Sequence, residues 1–279
     1  MADINPSLHF LKLGGSLITD KSRPYTARLD TIRRLASEIS AAKEHDPKLQ
    51  LILGHGSGSF GHVAAQKHGT RQGVHTPKQW SGFLEVWHEA TTLNRLVVDA
   101  FYQVGLPIIG FSPLAMVTAQ DGQVFSWDLS NLCSALVAGL LPVVHGDVAF
   151  DTMRGGTILS TEDLFVHLAG ELHPRRILLA GLEAGVWADF PTRQRLIPEI
   201  LLDNAAEFDA ALGGSTAADV TGGMATKVQQ CLQMIAQNPQ LEMFIFSGEE
   251  PEAVQRALSG EKLGTWLHGG RPGWFSNIQ

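Results

Sequence analysis

Short apolar runs that stop at glycine alternate along this chain with longer stretches of helical period, and that alternation limits the architectures open to it. Residues 8–13 read as a buried strand running into Gly14-Gly15-Ser16, and residues 49–53 as another running into the loop from His55 to His62. Further strands are expected at 107–111, 141–145, 176–180, 243–246 and 264–267. Between them, Leu29, Ile32, Leu35, Ala36 and Ile39 share one face of a helix over about 26–44, and helices are expected at 78–104, 128–140, 161–172, 221–236 and 250–258. Hairpins are expected to turn at Asp121-Gly122 and at Arg154-Gly155-Gly156. Strands alternating with helices imply an α/β fold with a mostly parallel sheet covered on both faces. The expected division falls near His173-Pro174, giving lobes 1–173 and 174–279; one continuous sheet, and so a single domain, fits as well.

Composition narrows the partners. The 279 residues suffice for a full core, and 44% hydrophobic against 18% charged residues excludes a disordered chain. A net charge of −7, from 21 Lys+Arg and 28 Asp+Glu, argues against a nucleic-acid or anionic-membrane binder. Any anionic ligand must therefore meet a local cluster of cations. No apolar stretch reaches the roughly 18–20 residues of a membrane helix, and the first residues lack a basic, then apolar, signal pattern, so a cytoplasmic protein is expected. Cys133 and Cys231 lie in apolar helical patterns and are expected to be buried reduced thiols.

In such sheets, ligands bind at the loops that follow the carboxyl ends of strands, and three of these loops carry phosphate-binding chemistry. Lys12-Leu-Gly14-Gly15-Ser16 precedes Lys21; adjacent glycines let backbone N–H groups approach a phosphate, although a tight turn needs the same residues. His-Gly56-Ser57-Gly58-Ser-Phe-Gly61-His62 lacks the Lys-Ser/Thr of a Walker loop. Gly56, Gly58 and Gly61 spell a dinucleotide fingerprint, but its acidic partner about 20 residues on is missing. His62 closes this loop, as a ligand or as a structural histidine. Asp219-Val-Thr-Gly-Gly-Met-Ala-Thr-Lys227 offers Thr221 as an N-cap, Gly222-Gly223 for close approach and Lys227 one turn into a helix.

Taken together, Lys12-Leu-Gly-Gly-Ser-Leu-Ile-Thr-Asp-Lys21, the His-Gly-Ser-Gly-Ser-Phe-Gly-His loop, Pro142-Val-Val-His-Gly146-Asp147 and Asp-Val-Thr-Gly-Gly-Met-x-x-Lys227 resemble the amino acid kinase superfamily, and within it the isopentenyl phosphate kinases, over residues 8–267. The resemblance implies an open αβα sandwich that transfers the γ-phosphoryl of ATP, with Mg²⁺, to an acceptor that is already anionic. It implies a homodimer, an acceptor site in lobe 1–173 and an ATP site in lobe 174–279. The family pattern sets Lys12 and Lys227 on the ATP phosphates and Lys21 on the transferred group. His62, N–H groups around Gly56, Gly146 and Thr161 fall to the acceptor. Gly14, Gly15, Ser16, Ser57, Gly58 and Gly223 complete the phosphate cradle, Gly181 and Trp187 lie toward the nucleotide, and Asp163 matches the aspartate that orders the two N-terminal lysines. No metal ligands are assigned.

Three departures from the pattern stand out. Gly-Ser57-Gly replaces three glycines, Ser160-Thr161-Glu162-Asp163 replaces Ser-Gly-Asp-Asp, and Gly181-Leu-Glu-Ala-Gly-Val-Trp187 lacks the usual aspartate, leaving Trp187 to pack on adenine or in the core. Trp80, Phe83, Leu84 and Trp87 form a helical stripe that serves as core, as a dimer surface or as one wall of a prenyl pocket near Ile108, Ile109 and Phe111. The expected reaction is conversion of isopentenyl phosphate to its diphosphate, a step of isoprenoid biosynthesis by an alternative mevalonate route. A fosfomycin-type phosphonate kinase, an acylamino-acid or carbamate kinase and a non-catalytic nucleotide-binding regulator are the alternatives.

Overall fold

The central strand, β1 (Leu8–Leu13), is buried along its whole length, as a strand covered on both faces must be. The structure is a computed structural model that describes residues 8–204 and 223–270. After β1 come a single helical turn α1 (Gly15–Ile18), α2 (Leu29–His45), β2 (Gln50–His55), α3 (Gly58–His68), a 3₁₀ turn (Thr70–Gln72), α4 (Pro77–Gln103) and β3 (Ile108–Gly110). The turn α5 (Pro113–Met116) leads into β4 (Val117–Gln120), β5 (Gln123–Trp127), α6 (Ser130–Val137), β6 (Leu141–His145), β7 (Asp147–Asp151), β8 (Gly155–Leu159) and α7 (Thr161–Leu172). Beyond residue 173 lie β9 (Arg176–Gly181), β10 (Val186–Trp187), β11 (Leu196–Ile197), β12 (Glu199–Leu201), α8 (Gly223–Gln237), β13 (Glu242–Ser247), α9 (Ala253–Leu258) and β14 (Thr265–His268).

One eight-stranded sheet in the order β12-β14-β13-β9-β1-β2-β6-β3 crosses the whole chain, and every pairing is parallel except β13 with β14. The period of two along β1 sends Phe10 to one face and Leu11 to the other. Phe10, Ile52, Val144 and Ile177 join residues of α6, α7 and α8 in one core. Leu11, Leu51, Leu53 and Leu178 join α2, α4 and α9 in the second. The expected mostly parallel α/β sandwich is the observed fold, with β14 and β12 reversed at one side.

A second sheet, β5-β4-β7-β8, holds both hairpins. The first turns at Asp121-Gly122, as its sequence indicates. The second turns at Thr152-Met153-Arg154, with Gly155 and Gly156 already in β8. Gly155 has the left-handed φ of +72 and lies against Val74, and Gly156 lies beneath Phe83, so backbone conformation and close packing within β8 demand these glycines. Cys231 is buried, and burial pushes its thiol up to about 12; Cys133 is half-buried, and both are free thiols. Among the described residues no helix is long and apolar enough to cross a membrane.

Candidate active site

The carboxyl ends of β1, β2, β6 and β9 open into a cavity of about 590 Å³. The two glycine loops meet at its floor. Gly14 N–H donates to Ala180 O (2.8 Å) and Gly56 N–H to Leu13 O (3.1 Å). Thr19 Oγ1 donates to Gly15 O (2.7 Å) and accepts from Ser59 N–H (3.0 Å), tying α1 to α3. A Cβ on Gly15 would sit 2.6 Å from Gly58 Cα, so only glycine lets the loops approach this closely.

Lys12, Gly14, Gly15, Ser16, Lys21, Gly56, Ser57, Gly58, His62, Gly146, Thr161, Gly181, Trp187, Gly223 and Lys227 all line this cavity; Asp163 does not. Lys21 is exposed. His62 lies in the second turn of α3, because the helix begins at Gly58. Gly223 (φ +70) opens α8, and Lys227 follows one turn in. Asp219, Thr221 and Gly222 lie outside the described residues.

Lys12 shares the sheet face of Phe10, the face covered by α7 and α8, and this directs its ammonium to Glu162 of α7, with which it forms an ion pair. Burial, the largest influence, lowers the Lys12 pKa; Glu162 opposes the shift and Lys227 adds to it. Burial alone would raise the Glu162 carboxyl, but the charges of Lys12 and Lys227 outweigh it and the net shift is downward.

Asp163, expected to order the N-terminal lysines, makes its hydrogen bonds elsewhere, while its charge still favours the Lys12 ammonium. Its Oδ2 accepts from Ser160 N–H (2.8 Å) and its N–H donates to Ser160 Oγ (3.1 Å), a capping box that starts α7. The same carboxylate takes Arg71 Nη2 (3.0 Å) and Gln230 Nε2 (3.1 Å). The residue touching Lys12 is Glu162, and the Ser-x-x-Asp cap spacing was the available sign that Asp163 belongs to the helix start.

His55 O accepts from Thr161 Oγ1 (2.6 Å) and from Gly146 N–H (3.2 Å), so both residues brace the loop. A Cβ on Gly54 would collide with Thr161 and Phe165 at 2.6 Å; its absence lets α7 settle onto β2. Gly56 N–H and Gly146 N–H are thus spent on backbone partners, and these residues contribute close approach to the cavity rather than their own donors. Beneath them, His55 Nε2 lies 3.0 Å from Asn94 Oδ1, and burial above all holds the His55 pKa at about 4.

The apolar stripe on α4 is offset from its expected role. Phe83 is buried against Trp80 and Phe150 (ring centroids 5.1 and 5.7 Å), whereas Leu84 and Trp87 are 57% and 36% exposed. Ile109 is exposed and Phe111 belongs to the main core. The helix contributes Val86 to the cavity, beside Ala65 of α3 and Ile158 of β8. At the other end, Trp187 is half-buried, with Nε1 donating to Glu183 Oε2 (2.9 Å), while Arg193 Nη2 donates to Glu183 Oε1 (2.8 Å). Arg71, Phe190 and Arg193 line the cavity without having been singled out in the sequence, since none lies in a glycine motif; Glu162 and Glu183 line it too, and the sequence showed them only as departures from the family pattern. Among the described residues no group of three or more His, Cys, Asp or Glu could hold a metal ion.

Residues 8–247 match the family model described as the amino acid kinase family. An isopentenyl phosphate kinase of Methanocaldococcus jannaschii is 34% identical over 267 residues, covering 92% of this chain and 97% of that protein. The isopentenyl phosphate kinase of Methanothermobacter thermautotrophicus is 33% identical, covering 93% of this chain and 98% of its own. A solved isopentenyl phosphate kinase structure superposes with a TM-score of 0.79 at 29% identity, covering 93% of this chain and 99% of that one. With lysines and glycine loops converging on one cavity and similarity running nearly end to end, the chain belongs to the amino acid kinase family, alongside the isopentenyl phosphate kinases within it.

Proposed function

We propose that this protein transfers the γ-phosphoryl of ATP to isopentenyl phosphate, forming isopentenyl diphosphate and ADP. The observation that carries the reading is the polarity of this cavity. Lys12, Lys21 and Lys227 gather around the glycine loops, His62 follows on α3, and Ala65, Val86 and Ile158 form an apolar end beyond it. A phosphate monoester with a short hydrocarbon tail matches that sequence of surfaces.

An acceptor phosphate oxygen attacks Pγ, the bond from Pγ to the bridging oxygen breaks, and ADP leaves with the electron pair. The acceptor is already a nucleophile, so catalysis rests on positioning and on neutralising charge. Lys12 and Lys227 hold the nucleotide phosphates, Lys21 follows the phosphoryl in flight, and His62 donates to the acceptor phosphate. Apart from Lys12 and the glycine loops at the phosphates, residues 1–173 serve the acceptor and residues 174–279 the nucleotide, with Gly181 and Trp187 toward the base. Glu162 and Glu183, the acidic residues of the cavity, are already paired to Lys12 and to Trp187 and Arg193. Glu162 would be the carboxylate beside Mg²⁺ brought in with the nucleotide. The ion would neutralise phosphate charge. The likeness to isopentenyl phosphate kinases favours a cytoplasmic homodimer acting in isoprenoid biosynthesis.

The test is turnover of purified protein with MgATP and isopentenyl phosphate, followed as diphosphate and ADP. Formation of both supports the reading. No diphosphate, together with turnover of a phosphonate or carboxylate, removes isopentenyl phosphate as the acceptor.

A further inference from the structure

We infer that Arg71 is a second cationic contact for the acceptor phosphate beside His62, and that Asp163 is the residue that positions it. The inference rests on the reading of the cavity as a kinase site. Lys12 and Lys227 belong to its nucleotide-phosphate end, and Arg193 is paired to Glu183 next to Trp187. On the α3 side, Arg71 lines the cavity with His62.

Its backbone is fixed. The left-handed C-cap Gly69 (φ +63) ends α3, and the 3₁₀ turn that follows carries Arg71. Arg71 O accepts from Thr157 Oγ1 (3.1 Å) and from Arg154 Nη1 (3.2 Å), which anchors the turn to β8. The guanidinium is fixed as well. Nη2 donates to Asp163 Oδ2 (3.0 Å), and Asp163 Oδ1 accepts from Gln230 Nε2 (3.1 Å), one turn beyond Lys227 on α8. The bridge Arg71–Asp163–Gln230 therefore draws a cation from the acceptor side to the start of α7, where Ser160, Thr161 and Glu162 also wall the cavity.

The bond to Asp163 uses one of the five N–H donors of the guanidinium, whose planar fork suits two phosphate oxygens. A monoester carries about −1.5 to −2 charge near neutral pH, more than one single-charged contact balances. Asp163 is itself held by Ser160 and Gln230, so it presets the arginine.

Steady-state kinetics and isopentenyl phosphate binding by calorimetry test this on Arg71→Ala, Arg71→Lys, Asp163→Asn and the double variant Arg71→Ala/Asp163→Asn. Arg71→Ala should raise the acceptor KM and Kd about 10- to 100-fold, the usual worth of a hydrogen bond to a charged group, with the KM for ATP within about twofold. Arg71→Lys, keeping charge but not the fork, should fall between. Asp163→Asn should shift the acceptor KM in the same direction and add nothing on top of Arg71→Ala. A change confined to helix capping would persist in full in the double variant, and that outcome overturns the positioning role. An unchanged acceptor KM in Arg71→Ala overturns the contact itself. If Arg71→Ala fails to fold, Arg71→Lys decides by the same comparison. If the wild type phosphorylates a different anion, the acceptor reading falls, and the KM for that anion decides Arg71 separately.

Discussion

Lys12 on the central strand and Glu162 in the first turn of α7, 150 positions apart, form an ion pair in which each side chain is only 11% exposed. Neither group has enough water to remain charged alone, so each keeps its partner ionised at the phosphate end of the cavity.

Glu162→Gln should destabilise the fold by about 3–5 kcal/mol, because it leaves a buried ammonium without its counter-charge. The folded-state pKa of Glu162 lies below its usual 4.5, so its contribution is fully present above that value and is lost as pH falls through the lowered one. The Tm gap between wild type and Glu162→Gln, measured by calorimetry, should therefore narrow as the pH drops below about 4.5. A gap that stays constant into acid would remove the pair from the stability account.

Lys21 acts on charge that spreads over the phosphoryl during transfer. Lys21→Ala should lower kcat by about 10²–10³ while both KM values stay within about threefold. Equal kcat for variant and wild type would take Lys21 out of the chemistry.

For His62, a charge-assisted bond to the acceptor phosphate is worth about 1.5–3 kcal/mol. His62→Ala should cost about 10- to 100-fold in kcat/KM for isopentenyl phosphate with little change in ATP affinity, and His62→Gln, neutral but still a donor, should fall between. Wild-type kinetics in His62→Ala would contradict this account of the acceptor site.

Val86, not Trp87, faces the apolar end of the cavity. Val86→Ala should shift relative kcat/KM toward longer prenyl phosphates, and Trp87→Ala should leave the profile of isopentenyl, dimethylallyl and geranyl phosphates unchanged. A shift in the Trp87 variant alone would restore the original stripe as the wall.

Element types, the sandwich and the phosphate loops were legible in the residue order, because they follow from local rules. Alternation along Leu8–Leu13 sets two buried faces, glycines stop the strands, and helices that return the chain to a parallel neighbour leave those loops at one edge. Lys12, Lys21, His62 and Lys227 could be named because they flank those loops within the same short motifs. The partners of these cations were not legible. Glu162 and Asp163 are adjacent carboxylates about 100° apart around a helix; the packing of α7 over Gly54 decides that the first meets Lys12 while the second caps the helix and receives Arg71. Trp80, Phe83, Leu84 and Trp87 form as regular a stripe as Phe83, Val86, Ala90, Leu93 and Val97, and only the rotation of α4 against the sheets buries the latter. Helical period shows that a face exists; which way it turns depends on atoms far away in sequence, and those the tertiary fold alone supplies.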